Sequence, residues 1–122
     1  MIQLYLFVNA ALYAALAVFC TVRLTQTARA IGFTELTAGG HSEYLVVYGG
    51  LQLGLALFYF AAGRDPEYFR IGILFSLLLY APMVGYRLAS LLIFRPHSIV
   101  TLGTTALEIF LLLWALVIWR ML

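Results

Sequence analysis

The chain has no lysine and little charge of either sign. Seven arginines and five acidic residues are its only charged side chains, so 10% of the residues are charged and 65% are hydrophobic. Soluble domains are roughly half apolar and one-quarter charged. The arginines stand apart and form no basic run of the kind that follows nucleic-acid phosphates. The composition therefore indicates a protein in lipid and argues against nucleic acid as a partner.

Cysteine is nearly absent as well. One residue, Cys20, excludes an internal disulfide and any metal or redox motif built from several cysteines. We interpret Cys20 as a small apolar residue inside the first helix. No enzyme motif occurs in the sequence, so no catalytic residue is predicted.

Four long apolar runs are present instead. The first, from Leu4 to Val22, carries no charge and approaches the thickness of a bilayer core. No Lys or Arg precedes it and no cleavage pattern follows, so we expect it to stay in the mature protein. We predict an all-α integral membrane four-helix bundle, antiparallel and up-down-up-down, as a single transmembrane domain over residues 1–122. The predicted helices are about 3–23, 43–62, 66–94 and 98–120, with a loop at 24–41.

Turn residues mark the ends of these runs. The expected roles are N-caps at Ser42, Asp65 and Ser98, a left-handed helix end at Gly63, and a first helical position at Pro66. Within the loop, a short interfacial helix around residues 27–33 is expected.

Glycine and proline inside the runs predict packing and bending. Pro82 lacks an N–H group and should kink the third helix, one turn before Gly85. Gly50 and Gly54 form a GxxxG pair that would let another backbone approach closely.

Polar residues inside the spans predict a layer near the membrane midplane. Gln52, Arg87 and Glu108 lie at similar distances from the helix ends on the side opposite the termini. Charges at this depth are costly and usually face a bundle interior. We therefore expect Arg87 and Glu108 to pair, with Gln52 or a tyrosine hydroxyl nearby.

Helical spacing adds further polar side chains to this layer. Each run carries a polar stripe at i, i+4 spacing that must face inward in lipid. The predicted ligand-binding residues are Arg87, Glu108, Gln52, Tyr48, Tyr80, Tyr13, Asn9 and Thr105. Two interpretations stay open: the layer only fixes helix register, or it is a site in a cavity walled by Tyr13, Tyr48, Tyr80 and Thr105.

Two histidines raise the question of a metal or a haem edge. His41 and His97 both precede predicted helices on one membrane face. Two ligands alone specify no metal geometry, and a polar cap at the interface is the simpler interpretation. No cofactor is indicated by a motif.

The sequence also resembles a known family. Residues 43–55 (EYLVVYGGLQLGL), the Gly85-Tyr86-Arg87-Leu88 segment and a glutamate in the last helix look like an uncharacterised family of small bacterial four-helix membrane proteins related to the DoxX-like superfamily. That superfamily is associated in part with respiratory or thiol-redox membrane complexes. The resemblance implies a bundle and an accessory role, but the single Cys20 departs from a dithiol mechanism.

Two functions from different classes follow. The first is a non-enzymatic membrane protein whose midplane polar pocket binds a small, lipid-like or quinone-like molecule, or which acts as an accessory subunit of a larger complex or a homo-oligomer. The second is a membrane oxidoreductase subunit or a proton-coupled transporter using Arg87 and Glu108. The expected location is a bacterial inner membrane. Both termini lie on one side, for which the cytoplasm is favoured although the arginine count is balanced.

Overall fold

The computed structural model describes residues 1–122, and the chain is helical throughout, with no strand. Its five helices are α1 (Ile2–Val22), α2 (Leu24–Ala30), α3 (Ala38–Arg64), α4 (Pro66–Phe94) and α5 (Ile99–Met121). All but α2 are long and apolar enough to cross a membrane. The predicted all-α fold with four apolar spans is confirmed at this level.

The start of α3 differs from the prediction. The helix begins at Ala38 rather than at residue 43, because the Thr37 side chain accepts a hydrogen bond from the Gly40 N–H at 3.1 Å and caps it. Ser42, the predicted cap, lies inside the helix. The region 24–41 is not one loop either, since it contains α2, which starts three residues before the predicted interfacial helix.

The turn between α3 and α4 is partly as predicted. Asp65 accepts a hydrogen bond from the Glu67 N–H at 2.9 Å, and Pro66 occupies the first helical position. Gly63, however, does not end α3 in a left-handed conformation. It is helical, and α3 ends one residue later at Arg64.

The turn between α4 and α5 has a left-handed residue that the sequence did not indicate. Arg95 follows α4 with φ 47° and ψ 53°, a conformation that glycine or asparagine adopts more readily. Ser98 stands at the N-cap of α5 as predicted, but its side chain makes no capping hydrogen bond.

A π-helical segment interrupts α3 at Leu45–Leu51. Its backbone hydrogen bonds join residues five apart, so the α-helical spacing used to place side chains does not hold there. Gly49 lies within it against α1, where a Cβ would come within 2.9 Å of the Thr21 hydroxyl oxygen. The segment packs mainly on α1.

The main core lies in the half of the bundle nearest the chain termini. It joins all four long helices through the buried residues Tyr5, Leu6, Ala10, Tyr13, Ala56, Tyr59, Ala62, Ile73, Tyr80, Leu111, Ala115 and Ile118. One close approach in it is at Gly72, where a Cβ would lie 2.9 Å from a Leu6 methyl carbon. A second, small core of Cys20, Ala28 and Tyr44 fastens α2 to α1 and α3 at the other end.

The predicted GxxxG contact is absent from this core. A Cβ added at Gly50 or Gly54 would meet nothing within 4 Å. The close approaches fall at Gly49, Gly63 and Gly72 instead.

The end of the α4–α5 hairpin stands outside both cores. None of residues 85–104 is buried, and we call this segment the hairpin tip. Its side-chain hydrogen bonds go only to α4 and α5 themselves. The tip is therefore attached to the rest of the bundle chiefly through the helices that lead into it.

Candidate functional site

An ion pair joins α4 to α5 at the base of the hairpin tip. The Arg87 Nε donates to Glu108 Oε2 at 3.0 Å, and Nη2 donates to Oε1 at 2.8 Å. Two parallel bonds of this kind are the strongest geometry for an arginine–carboxylate pair. The predicted pairing of Arg87 with Glu108 is confirmed.

The two charged side chains differ in exposure. The Glu108 side chain is 10% exposed, whereas the Arg87 side chain is 33% exposed. The pair thus sits at the edge of the bundle, with its carboxylate inward and its guanidinium partly outward.

A network of buried hydroxyl and amide groups lies below the pair. The Tyr13 hydroxyl donates to the Tyr80 hydroxyl at 2.9 Å, and the Tyr80 hydroxyl donates to Asn9 Oδ1. The Asn9 amide in turn donates to the Tyr5 carbonyl at 2.9 Å. These bonds join α1 to α4. We use the name hydroxyl network for the buried, hydrogen-bonded residues Tyr5, Asn9, Tyr13, Tyr59, Ser76 and Tyr80.

The network continues to α3 and α5. Tyr59 and Ser76 share a hydrogen bond of 2.8 Å, and the Ser76 hydroxyl also donates to the Gly72 carbonyl at 3.0 Å. The Tyr5 hydroxyl donates to the Leu111 carbonyl on α5 at 3.1 Å. No buried side-chain nitrogen or oxygen lacks a partner. All four long helices are therefore held in register by satisfied polar contacts.

The eight residues predicted for the site separate into three groups. Arg87 pairs with Glu108, and Asn9, Tyr13 and Tyr80 bond one another. The other three make their contacts elsewhere.

Gln52, Tyr48 and Thr105 make these separate contacts. The Gln52 amide donates to the Val47 carbonyl of its own helix at 3.3 Å, so no hydrogen bond joins it to the pair. The Tyr48 ring stacks on Tyr44 with 4.5 Å between centroids, and the Thr105 hydroxyl donates to the Thr101 carbonyl. Gln52 was placed by α-helical spacing across a segment that is π-helical.

Tyr59 was missed by the sequence analysis. It is fully buried, bonds Ser76, and stacks on Tyr13 with the ring planes 7° apart. The signal was available, because Tyr59 lies seven residues, or two helical turns, beyond Gln52. Extending the polar stripe of α3 through its α-helical half would have found it.

The histidines occupy separate polar environments. The His41 ring donates from Nδ1 to the Thr37 carbonyl at 2.9 Å, and His97 is exposed in the turn before α5. No group of three or more His, Cys, Asp or Glu side chains comes together in a way that could hold a metal.

An apolar groove lies away from the ion pair. It runs between α1 and α3, has a volume of about 500 Å³, and is lined by Phe7, Ala10, Ala11, Ala14, Leu53, Ala56, Leu57 and Phe60. None of the eight predicted site residues lines it. Tyr13 and Tyr80, expected to wall a cavity, touch each other through their hydroxyls.

Four apolar spans, a satisfied buried polar network and one paired arginine define a helical protein of membrane type. No protein-family model, curated protein or solved structure matches the chain.

Proposed function

We propose that this protein is a non-enzymatic integral membrane protein that binds a small or lipid-like molecule beside the Arg87–Glu108 pair. The observation that carries the proposal is the 33% exposure of the Arg87 side chain next to a carboxylate that is 10% exposed. An ionised group in a membrane span normally faces a bundle interior or a cavity and marks a functional site. Here the Arg87 guanidinium is partly outward, at the base of a hairpin tip in which no residue is buried.

The site in this proposal differs from a central cavity. The hydroxyl network lies in the interior of the half of the bundle nearest the termini, and its buried polar atoms are satisfied, which supports a role in helix register. We assign Arg87, Glu108 and Tyr48 to the ligand. Asn9, Tyr13, Tyr80, Gln52 and Thr105 would support the site without contacting the bound molecule.

The proposal includes the topology. The start of α1 meets the end of α3 through a hydrogen bond from the Gln3 amide to the Gly63 carbonyl, which supports an antiparallel, up-down-up-down bundle. Such a bundle puts both termini on one side, and we propose the cytoplasmic side of a bacterial inner membrane. Pro82 lies inside α4 just before the hairpin tip, so a kink there would set the direction of the tip.

An accessory role in a membrane complex is compatible with the same site. The hairpin tip exposes the apolar side chains of Leu92, Ile93, Phe94 and Ile99, which a partner subunit could cover. The resemblance to DoxX-like proteins, carried by residues 43–55 and 85–88, motivates this role and the bacterial assignment. Fold analogy alone supplies no activity.

The competing function, a proton-coupled transporter or oxidoreductase subunit, is less well supported. A proton path needs groups that accept and release protons along its length. The hydroxyl network instead ends on the backbone carbonyls of Tyr5, Leu111 and Gly72. These carbonyls fix the orientation of the donors and do not relay protons.

Identification of the bound molecule tests the proposal. The wild-type protein, the Arg87→Gln/Glu108→Gln double variant and an Arg95→Gln control would be purified in an alkyl maltoside, and retained molecules measured by mass spectrometry after denaturation. Arg95 is the matched control because it is an exposed arginine eight residues beyond Arg87. We expect one molecular species to be retained by the wild type and the control and lost from the double variant.

Two outcomes would contradict the proposal. Equal retention by all three proteins would place the bound molecule away from the pair. Absence of any retained molecule from the wild type would favour the accessory-subunit role, in which function lies on the outer helix faces.

A further inference from the structure

Arg87 has hydrogen-bond donors that Glu108 does not use. A guanidinium carries five N–H groups, and the bonds from Nε and Nη2 to the carboxylate leave three of them. No other side chain or carbonyl of the protein accepts a hydrogen bond from Arg87, and 33% of its side chain is exposed. An N–H group without an acceptor is costly in hydrocarbon. The acceptor for these N–H groups therefore comes from outside the chain, either as water at the membrane boundary or as a bound molecule.

The depth of Arg87 narrows the choice of acceptor. The helix α4 has 29 residues, which corresponds to about 43 Å, and so exceeds a bilayer core of about 30 Å by several ångströms at each end. Arg87 lies seven residues before Phe94, or about 10 Å from the end of the helix. In a bilayer centred on α4, the Arg87 Cα would lie about 4 Å inside the hydrocarbon boundary, nearer the boundary than the predicted midplane layer, and its long side chain could reach that boundary.

The charge of the pair favours a neutral acceptor. The Arg87 charge is already balanced by a carboxylate held at 2.8 Å, so an arriving anion would meet a neutral pair and lie near the like charge of Glu108. A carbonyl oxygen accepts the same N–H groups without adding charge.

The surroundings indicate an amphiphile. Tyr86, which precedes Arg87, is 82% exposed, and Leu88, which follows it, is also exposed. An aromatic and an aliphatic side chain beside a polar donor suit a molecule with an apolar chain and one polar end.

From the geometry we infer that the outward N–H groups of Arg87 bind the carbonyl oxygen of a neutral, lipid-like molecule that approaches beside the hairpin tip. This rests on the proposed function and names the chemical class of its ligand. Glu108 positions the guanidinium and balances its charge, and Arg87 alone contacts the carbonyl.

Amphiphilic probes that share one oleyl chain and differ in their head groups test the ligand class. Methyl oleate carries an ester carbonyl, methyl oleyl ether lacks the carbonyl, and oleyl phosphate carries an anion. Each would be titrated into the wild type, Arg87→Gln and Arg95→Gln in dodecyl maltoside, which itself has no carbonyl, with the change in Tm as readout. A ¹³C-labelled ester carbonyl, followed by its infrared stretching frequency, gives a second readout that does not depend on stability.

We expect saturable binding of methyl oleate, at least about tenfold tighter than the ether, because a hydrogen bond to a charged group contributes this much or more. The Arg87→Gln variant should bind the ester about as weakly as the ether, and the carbonyl frequency should fall on binding to the wild type and to Arg95→Gln only. If Arg87→Gln does not fold, the affinities of the three probes for the wild type and for Arg95→Gln still show whether the ester carbonyl is bound.

Three results would overturn the inference. Tighter binding of oleyl phosphate would make the ligand class anionic, and equal binding of ester and ether would remove the carbonyl contact; in both cases the proposed function stands. If no probe binds saturably and no molecule is retained on purification, the inference and the proposed function fail together.

Discussion

At the scale of single residues, one pair of opposite charges has the largest effect on what this protein can do. Glu108 is nearly buried and Arg87 is partly outward, so the two ends of the pair have different surroundings. Bidentate geometry holds the guanidinium plane in a fixed direction. Arg87 can therefore present donors outside the bundle without leaving a bare charge in lipid.

This pairing predicts that the wild type and the Arg87→Leu/Glu108→Leu double variant are both more stable than either single variant. Arg87→Leu or Glu108→Leu leaves one charge without its partner, which we expect to cost about 2–4 kcal/mol, below the value for a fully buried pair because Arg87 is partly exposed. The double variant should lose less than the sum of the two singles. Thermal unfolding in detergent, with Arg95→Leu as control, measures the difference. Additive losses would show that the two side chains are independent.

At the scale of the helix, the space around each glycine shows where neighbouring helices pack closely. A methyl group at Gly72 would press on the buried Leu6 at 2.9 Å and on Ala62 at 3.3 Å, whereas at Gly54 it would meet nothing within 4 Å. Glycine in a helix costs about 1 kcal/mol relative to alanine. The two positions therefore balance the same propensity gain against different packing costs.

We expect opposite signs for the two alanine substitutions. Gly54→Ala should stabilise the protein by up to about 1 kcal/mol through helix propensity. Gly72→Ala should destabilise it by up to about 2 kcal/mol, because overpacking of about 1–3 kcal/mol exceeds that gain. Unfolding in detergent tests both. Destabilisation by Gly54→Ala would reveal another backbone packed on that face, as in a homo-oligomer.

At the scale of the whole molecule, the bundle has a tightly tied half and an open end. The main core and the hydroxyl network occupy the half nearest the termini, and the opposite end consists of a small core under α2 and the unburied hairpin tip. Binding functions commonly fall on parts held by few contacts next to a rigid scaffold. This division supports a ligand site at the base of the tip.

The up-down-up-down arrangement predicts which loops share a side of the membrane. In a Cys20→Ala background, Glu67→Cys and Leu122→Cys should react with an impermeant thiol reagent from one side, and Thr34→Cys and His97→Cys from the other. All four positions are exposed. Labelling of intact cells and of inverted membranes distinguishes the sides. Reaction of Glu67→Cys and His97→Cys from the same side would contradict the proposed topology.

The sequence by itself determined the class of fold and the pairing of Arg87 with Glu108. Long apolar runs can satisfy their backbone in lipid only as helices, and two isolated opposite charges at matched depth have few partners other than each other. Local chemistry also determined the Asp65–Pro66 turn, because a side-chain cap and a proline at the first helical position act within a few residues.

Only the tertiary structure decided which polar residues meet. Gln52 was expected near the ion pair from its depth along the predicted helix and its spacing from Tyr48, but the π segment of α3 includes Tyr48 and ends just before Gln52, and Gln52 bonds its own helix. Tyr59 belongs to the hydroxyl network although the predicted polar stripe of α3 did not extend to it. The outward side of Arg87 likewise depends on where the hairpin tip lies relative to α1 and α3. Packing between distant segments sets these relations, and no single helix encodes them.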